Sequence, residues 1–232
     1  KKISEHAKQY SKKAFKKAGL NPNKPPKTWQ QVEAYSKKLL KAGYECGFST
    51  SWISWIHLEN LTAWHNVPFG TKANGFDGLD ARLSINGELP VKHLTQLAAW
   101  EKAKIFSYGG RRNLGNAKFT SETCPMYTES SAGYAGFKAT ATFDFGISEL
   151  PYWEGFADAP QNTIIGGASL WVMAGHKKQE YRGVAKFLNY LSSPAVQADW
   201  HQSTGYLPIT TAAYKLTSES GYYKKNPDME VA

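Results

Sequence analysis

The sequence predicts an α/β fold, and three observations carry that prediction. Amphipathic helical patterns alternate with short apolar runs along the 232 residues, the order that builds a sheet covered by helices. The short runs empty into Ser, Thr or Gly just where a helix begins, at STSW (49–52), TESSAG (128–133) and IIGGAS (164–169). In open α/β sheets the ligand crevice lies outside the carboxyl ends of such strands. The chain, 41% hydrophobic, is also long enough for one large core or two small ones.

Taken in order, residues 1–20 end in KKAFKKAGL, a basic helical pattern stopped by Gly19, and NPNKPP (21–26) is a stiff connection. KTWQQVEAYSKKLLKAG then places Thr28 at an N-cap with Gln31 three residues on, the capping-box spacing, and Gly43 ends the helix. YECGFSTS (44–51) predicts a short strand, followed by a helix from near Trp52 towards Trp64. PFGTKANGFDGLDARLSING (68–87) is a Gly- and Asp-rich surface segment, in which Asp77 and Asp80 suit turns. PVKHLTQLAAWEKAK (90–104) is amphipathic, with Pro90 at its start. CPMYTESS (124–131) and TFDFGISELP (142–151) predict strands on either side of a helix in AGYAGFKAT. TIIGGASLWVMA (163–174) is the most apolar strand candidate, and EYRGVAKFLNYLSS (180–193) is a periodic helix stopped before Pro194. A shorter helix carries Val196 and Trp200, and Thr210 or Thr211 caps AAYKLTSES.

Composition narrows the function classes. The formal charge of +9 suggests an anionic partner, but residues 1–41 hold twelve Lys against Glu5 and Glu33, and the rest of the chain balances to −1. Basicity confined to one end argues against a nucleic-acid face. No run approaches the length of a membrane span, and no apolar stretch follows the opening lysines as a signal peptide requires. Cys46 and Cys124 have no metal-like spacing; a single long-range disulfide and two free buried thiols are both open. The six histidines are scattered, and no nucleophile elbow, Walker A loop or HExxH is present. A binding role without catalysis, cofactor or metal is expected. The candidate sites are the aromatic pair Trp52 and Trp55, the hydroxyls of Ser130 and Ser131, and the open backbone at Gly166 and Gly167.

The segments KAGLNPNKPPKTWQQVEAYSKKL, STSWISWIHLENLTAW, NGFDG, DAPQNTIIGGASLWVM, GVAKFLNYLSSP and WHQSTGYLPITTAAY resemble the solute-binding proteins of bacterial ABC importers, in their glycerol-3-phosphate branch, from about Ala14 to about Pro227. The resemblance implies a periplasmic, monomeric receptor of the maltose-binding type, the two-lobed periplasmic binding protein type II-like fold, closing like a hinge. It implies uptake of sn-glycerol-3-phosphate, or of glycerophosphodiesters such as glycerophosphocholine, with membrane permease and ATPase subunits as partners. Residues 14–158 would form the second lobe, 159–162 the hinge crossover, and 163–232 part of the first lobe with hinge helices. Trp52 and Trp55 would offer an aromatic platform, Ser130 a hydroxyl, Gly167 a backbone amide and Tyr206 a phenolic hydroxyl. Ser4 falls where the family has a ligand-binding serine, although its surroundings differ. Residues 1–13, KKISEHAKQYSKK, lack the apolar character of the strand expected there. The family extends beyond both ends of this chain, so a truncated, non-binding remnant is one alternative expectation. A receptor for another sugar or oligosaccharide is the other.

Overall fold

A computed structural model describes residues 6–156 and 158–230. Its centre is a four-stranded mixed sheet, ordered β2–β3–β1–β4, with β1 at His6–Ser11, β2 at Phe48–Thr50, β3 at Met126–Ser130 and β4 at Phe145–Glu149. β2 runs parallel to β3, whereas β1 is antiparallel to both neighbours. Side chains of consecutive strand residues point to opposite faces. Met126 and Tyr10 therefore join one core, with Trp29, Phe48, Leu97 and Trp100, beneath helices Trp29–Lys41 and Glu88–Lys102. Tyr127, Phe145 and Ile147 join a second core on the other face, with Phe119, Phe137 and Tyr223.

Residues 1–13 are the first correction. HAKQYS lacks apolar character, yet it forms β1, in the interior of the sheet between β3 and β4. Lys8 is buried there, with its ammonium donating to the Pro26 carbonyl, and burial lowers its pKa to about 7. Tyr10 reaches the Pro22 carbonyl at 2.9 Å. The two proline carbonyls accept what the side chains on that face donate, which lets polar residues occupy an interior strand. Ser11 ends β1 and caps the helix Lys12–Lys17, its hydroxyl accepting from the Ala14 amide at 3.0 Å.

The second correction concerns residues 163–174, which form no strand. Ile165, Leu170, Trp171 and Met173 are 66%, 67%, 84% and 69% exposed. An apolar run becomes a strand only when a neighbour takes its amides and carbonyls, and among the described residues none pairs with this one. The periodic helix that follows does form, at Lys178–Leu191, but none of its residues is buried and Phe187 and Tyr190 face outward.

Elsewhere the local signals hold. Thr28 caps Trp29–Lys41 by accepting from the Gln31 amide at 3.2 Å, and Gln31 reaches back to the Lys27 amide at 2.8 Å. Thr210 caps Thr211–Glu219 through the Ala213 amide. Cys46 and Cys124, open as a pair in the sequence, form a disulfide across Cα atoms 4.9 Å apart.

Candidate ligand cavity

The ends of β2 and β3 lie side by side and open on one cavity of about 460 Å³. Trp52, Trp55, Ser130, Gly167 and Tyr206 all line it, so the structure brings together residues from four distant parts of the chain. Ser4 lies outside the described residues. Ser131 is buried beside the cavity without lining it. Asn113, Glu129, Ala132, Gly133 and Thr204 complete the wall. Sequence reasoning missed these; Asn113 and Glu129 carry no motif, and only adjacency to Ser130 could have drawn attention to Glu129.

Trp52 owes its position to an unusual backbone. Its φ is +39°, a left-handed conformation rare outside glycine. Its amide donates to the Arg112 carbonyl at 3.1 Å, and its carbonyl accepts from Ile56 at 3.0 Å. The ring is 39% exposed, with the Arg112 guanidinium 5.9 Å from its centroid. Directly afterwards comes a π-helical turn, Trp55–Asn60, which passes into an α-helical turn, Leu61–Trp64. π-helical turns occur often at functional sites. Here the turn half-buries Trp55 while its neighbours Ile56 and His57 go fully inward. Asn60 donates to the Trp55 carbonyl at 3.1 Å and accepts from the Ile164 amide at 3.0 Å, which fastens the 163–167 segment to the same wall.

Tyr206 is set by Gly205. That glycine ends helix Pro194–Thr204 in the left-handed region, and a Cβ there would stand 2.7 Å from the Ser131 carbonyl oxygen. Only glycine permits both the turn and the approach. His201 grips the turn, Nδ1–H donating to the Tyr206 carbonyl and Nε2 accepting from the Tyr223 hydroxyl at 3.0 Å. Gly167, at φ +101°, sits across from the Tyr206 ring, 3.9 Å from where a Cβ would project.

Two polar networks support the wall from below. Burial holds the Glu129 pKa above the ordinary carboxylate range. The carboxyl accepts from the Ser130 amide at 2.8 Å, and the Asn116 amide can turn to donate to it at 3.1 Å. The second network begins at Trp153, whose indole N–H can only donate and meets His93 Nδ1 at 3.0 Å. That fixes the tautomers that follow. His93 Nε2–H donates to His57 Nδ1 at 2.9 Å, leaving His57 Nε2–H to face the Thr128 hydroxyl at 3.4 Å. Thr128 donates to the Thr50 hydroxyl, and Thr50 to the Ser51 carbonyl, each at 2.7 Å. The chain of donors ends one residue before Trp52. Desolvation lowers the His57 pKa to about 3 and pushes His93 well below its ordinary value, so both rings are neutral.

A family model described as bacterial extracellular solute-binding protein matches residues 3–231. The chain belongs to that family. This solute-binding protein is 52% identical over 223 residues to the sn-glycerol-3-phosphate-binding periplasmic protein UgpB of Salmonella typhimurium, covering 96% of this chain and 51% of the relative. It is 51% identical to the protein of the same name in Escherichia coli O1:K1, with the same coverage. It therefore spans about half the length of these relatives. Among solved structures, UgpB of Mycobacterium tuberculosis in complex with glycerophosphocholine shares the fold, with TM-score 0.74 and 21% identity, over 98% of this chain and 55% of that one. The maltose/maltodextrin-binding domain MalE of Bdellovibrio bacteriovorus, bound to maltotriose, does so with TM-score 0.68 and 18% identity, over 97% and 56%. The mixed sheet with its flanking helices is thus the α/β architecture of two-lobed periplasmic binding proteins.

Proposed function

We propose that this chain carries one wall of a receptor for sn-glycerol-3-phosphate, and for glycerophosphodiesters built on it, that delivers its ligand to the permease and ATPase subunits of an ABC importer in the periplasm. The observation that carries the reading is the convergence of Trp52, Trp55, Ser130, Gly167 and Tyr206 on one cavity, in a chain half identical to proteins named for that ligand. The Trp52 ring would cover the C–H face of the glycerol. The Ser130 and Tyr206 hydroxyls and the Gly167 amide would take the hydroxyl and phosphate oxygens. In this reading residues 14–158 are one lobe, 159–162 the crossover and 163–232 part of the other. The role is capture and release of solute without chemical turnover.

Calorimetric titration with sn-glycerol-3-phosphate, against maltose as control, tests the reading. Heat for the phosphate ester alone is expected; equal binding of maltose overturns the ligand assignment. Trp52→Ala should weaken the ester by about tenfold or more while moving the unfolding free energy by under about 1 kcal/mol, because the ring is partly in solvent. A sharp drop in stability with unchanged affinity in the folded fraction would make Trp52 a packing residue instead. Tyr206→Phe removes one hydroxyl at the mouth, for an expected loss of about fivefold to tenfold in affinity.

A further inference from the structure

The cavity is walled by stretches of chain from before and after the crossover. Trp52, Trp55 and Ser130 precede it, Gly167 and Tyr206 follow it, and all five line the same space. A ligand gripped from both sides needs those stretches at a fixed separation. The crossover region is tied to the helical stretch that begins at Trp55 by three successive hydrogen bonds. Asn66 donates to the Asp158 carboxylate at 3.4 Å, the Gln161 amide to the Trp64 carbonyl at 2.8 Å, and the Ile164 amide to Asn60 Oδ1 at 3.0 Å. As the chain advances from 158 to 164 its partners step back from 66 to 60. It therefore runs along the helical stretch towards Trp55, and Gly167 enters the cavity wall three residues later.

The last of these ties differs from the other two, because Asn60 also holds Trp55. It stands five residues after Trp55, the span of a π-helical bond, and its Nδ2 donates to the Trp55 carbonyl at 3.1 Å. One planar amide thus grips both walls, by its nitrogen on one side and its oxygen on the other. The partners fix which atom is which, since a carbonyl can only accept and a backbone N–H can only donate. Asn60 is fully buried, so losing either bond strands a polar group that bulk water does not reach.

We propose that Asn60 is a positioning residue that sets the separation of Trp55 from Gly167 across the cavity, and through it the affinity for ligand. Asn60 stands behind the cavity wall and acts through the two residues it holds. Loss of the Nδ2 bond releases Trp55, loss of the Oδ1 bond releases the segment that ends in Gly167, and a ligand spanning both is weakened either way. The assignment deepens the receptor reading above and rests on it for the ligand, whereas the positions of Trp55 and Gly167 can be followed without one.

The full chain and its Asn60→Ala, Asn60→Asp and Thr62→Val variants are titrated with sn-glycerol-3-phosphate by calorimetry. The Trp55 indole and Gly167 amide signals are followed by NMR without ligand. Thr62→Val is the control, since it removes a buried hydroxyl that donates to the Glu59 carbonyl at 2.9 Å within the same helical stretch. Asn60→Ala should move both signals and weaken the ester by about tenfold or more. In Asn60→Asp the carboxylate still accepts from the Ile164 amide but donates nothing, so the Trp55 signal moves and the Gly167 signal stays. Thr62→Val should lower the thermal midpoint and leave affinity and both signals as they were. If Asn60→Ala binds as the parent does, or loses no more affinity than Thr62→Val, the proposal is overturned. Should neither Asn60 variant fold, hydrogen exchange in the parent protein decides it. Ester binding is expected to slow exchange at the Asn60 side-chain amide and the Ile164 amide together with Gly167, and unchanged exchange at the first two sinks the proposal. The ligand reading fails separately. If the parent takes no heat from the ester while the ligand-free signals move as expected, the glycerol assignment falls and the positioning role stands. If the ester binds and both signals stay fixed in Asn60→Ala, the positioning role falls and the ligand assignment stands.

Discussion

Replacing both cysteines, as Cys46→Ala/Cys124→Ala, lowers the free energy of unfolding by about 4 kcal/mol. The bond joins the residues just ahead of β2 and β3, 78 positions apart in sequence. β2 and β3 are parallel, and a parallel pair cannot be closed by a tight turn. Everything between them, including the Trp52 turn and helix Glu88–Lys102, is a loop whose ends must be brought together at an entropic cost. The cross-link removes most of that cost by restricting the unfolded chain, and a closed loop of this length corresponds to the figure given. Both sulfur-bearing residues are buried, so alanine leaves only small voids. Urea unfolding of the double variant beside the oxidised protein measures the difference. A midpoint change worth less than about 1 kcal/mol would mean that the unfolded chain is already compact and the bond contributes little. Because β2 and β3 deliver Trp52 and Ser130 to the cavity, the reduced protein should also bind ligand more weakly at temperatures where part of it is unfolded.

That bond was not legible in the sequence, and the reason is general. Two cysteines far apart carry no spacing signal, and their pairing follows from which strands become neighbours. The same holds for the histidines. His57 and His93 are 36 positions apart and Trp153 another 60, so only the completed fold makes them one network. What was legible is what is encoded over a few residues: the Thr28 and Thr210 caps, the helix-breaking glycines, the short runs before Ser49 and Ser130. β1 failed as a local reading because Lys8 and Tyr10 find their partners in the carbonyls of Pro26 and Pro22, a contact that hydropathy does not encode. Residues 163–174 failed in the opposite sense. Their hydropathy suits a strand, but a strand needs a neighbour, and no described strand lies beside them. Trp52, Trp55, Ser130 and Gly167 were legible from residue type and position after short apolar runs, whereas Tyr206 was reached through resemblance to a family. Asn113, Glu129 and Thr204, which share the wall, have no such signature and appeared only with the geometry.

Acidification from pH 7.5 to pH 5 removes about 2 kcal/mol of stability through His57, and His93 adds a loss in the same direction. Both are fully buried, both are neutral in the folded protein, and desolvation sets their pKa values, at about 3 for His57 and well below the ordinary value for His93. The charged and titratable neighbours worsen the case for a proton. His57 and His65 repel charge on His93, Lys92 lies over the Trp153 ring and repels charge on His65, and no carboxylate is among the influences on either ring. The sign follows directly. The unfolded chain takes up protons near pH 6.5 while the folded rings do not, so each histidine's contribution is complete above pH 6.5 and shrinks as pH falls below it. His57 loses about 1.4 kcal/mol per pH unit, hence about 2 at pH 5, and His93 loses stability in the same sense. Glu129 acts in the opposite sense, since its raised pKa lets the folded state hold a proton longer, and it trims the total. Urea midpoints between pH 7.5 and 4.5 should therefore fall with pH, showing net uptake of protons on unfolding. A flat profile would mean that the rings are reached by water or already charged. Within the folded population the rings stay neutral over this range, so affinity should hold there and fall only as pH approaches 3, for a geometric reason. A proton on His57 Nδ1 would face the His93 N–H that now donates to it, and the hydrogen-bond chain would break above Thr128, Thr50 and the Ser51 carbonyl. The residue that follows is Trp52, whose left-handed backbone depends on that turn being held.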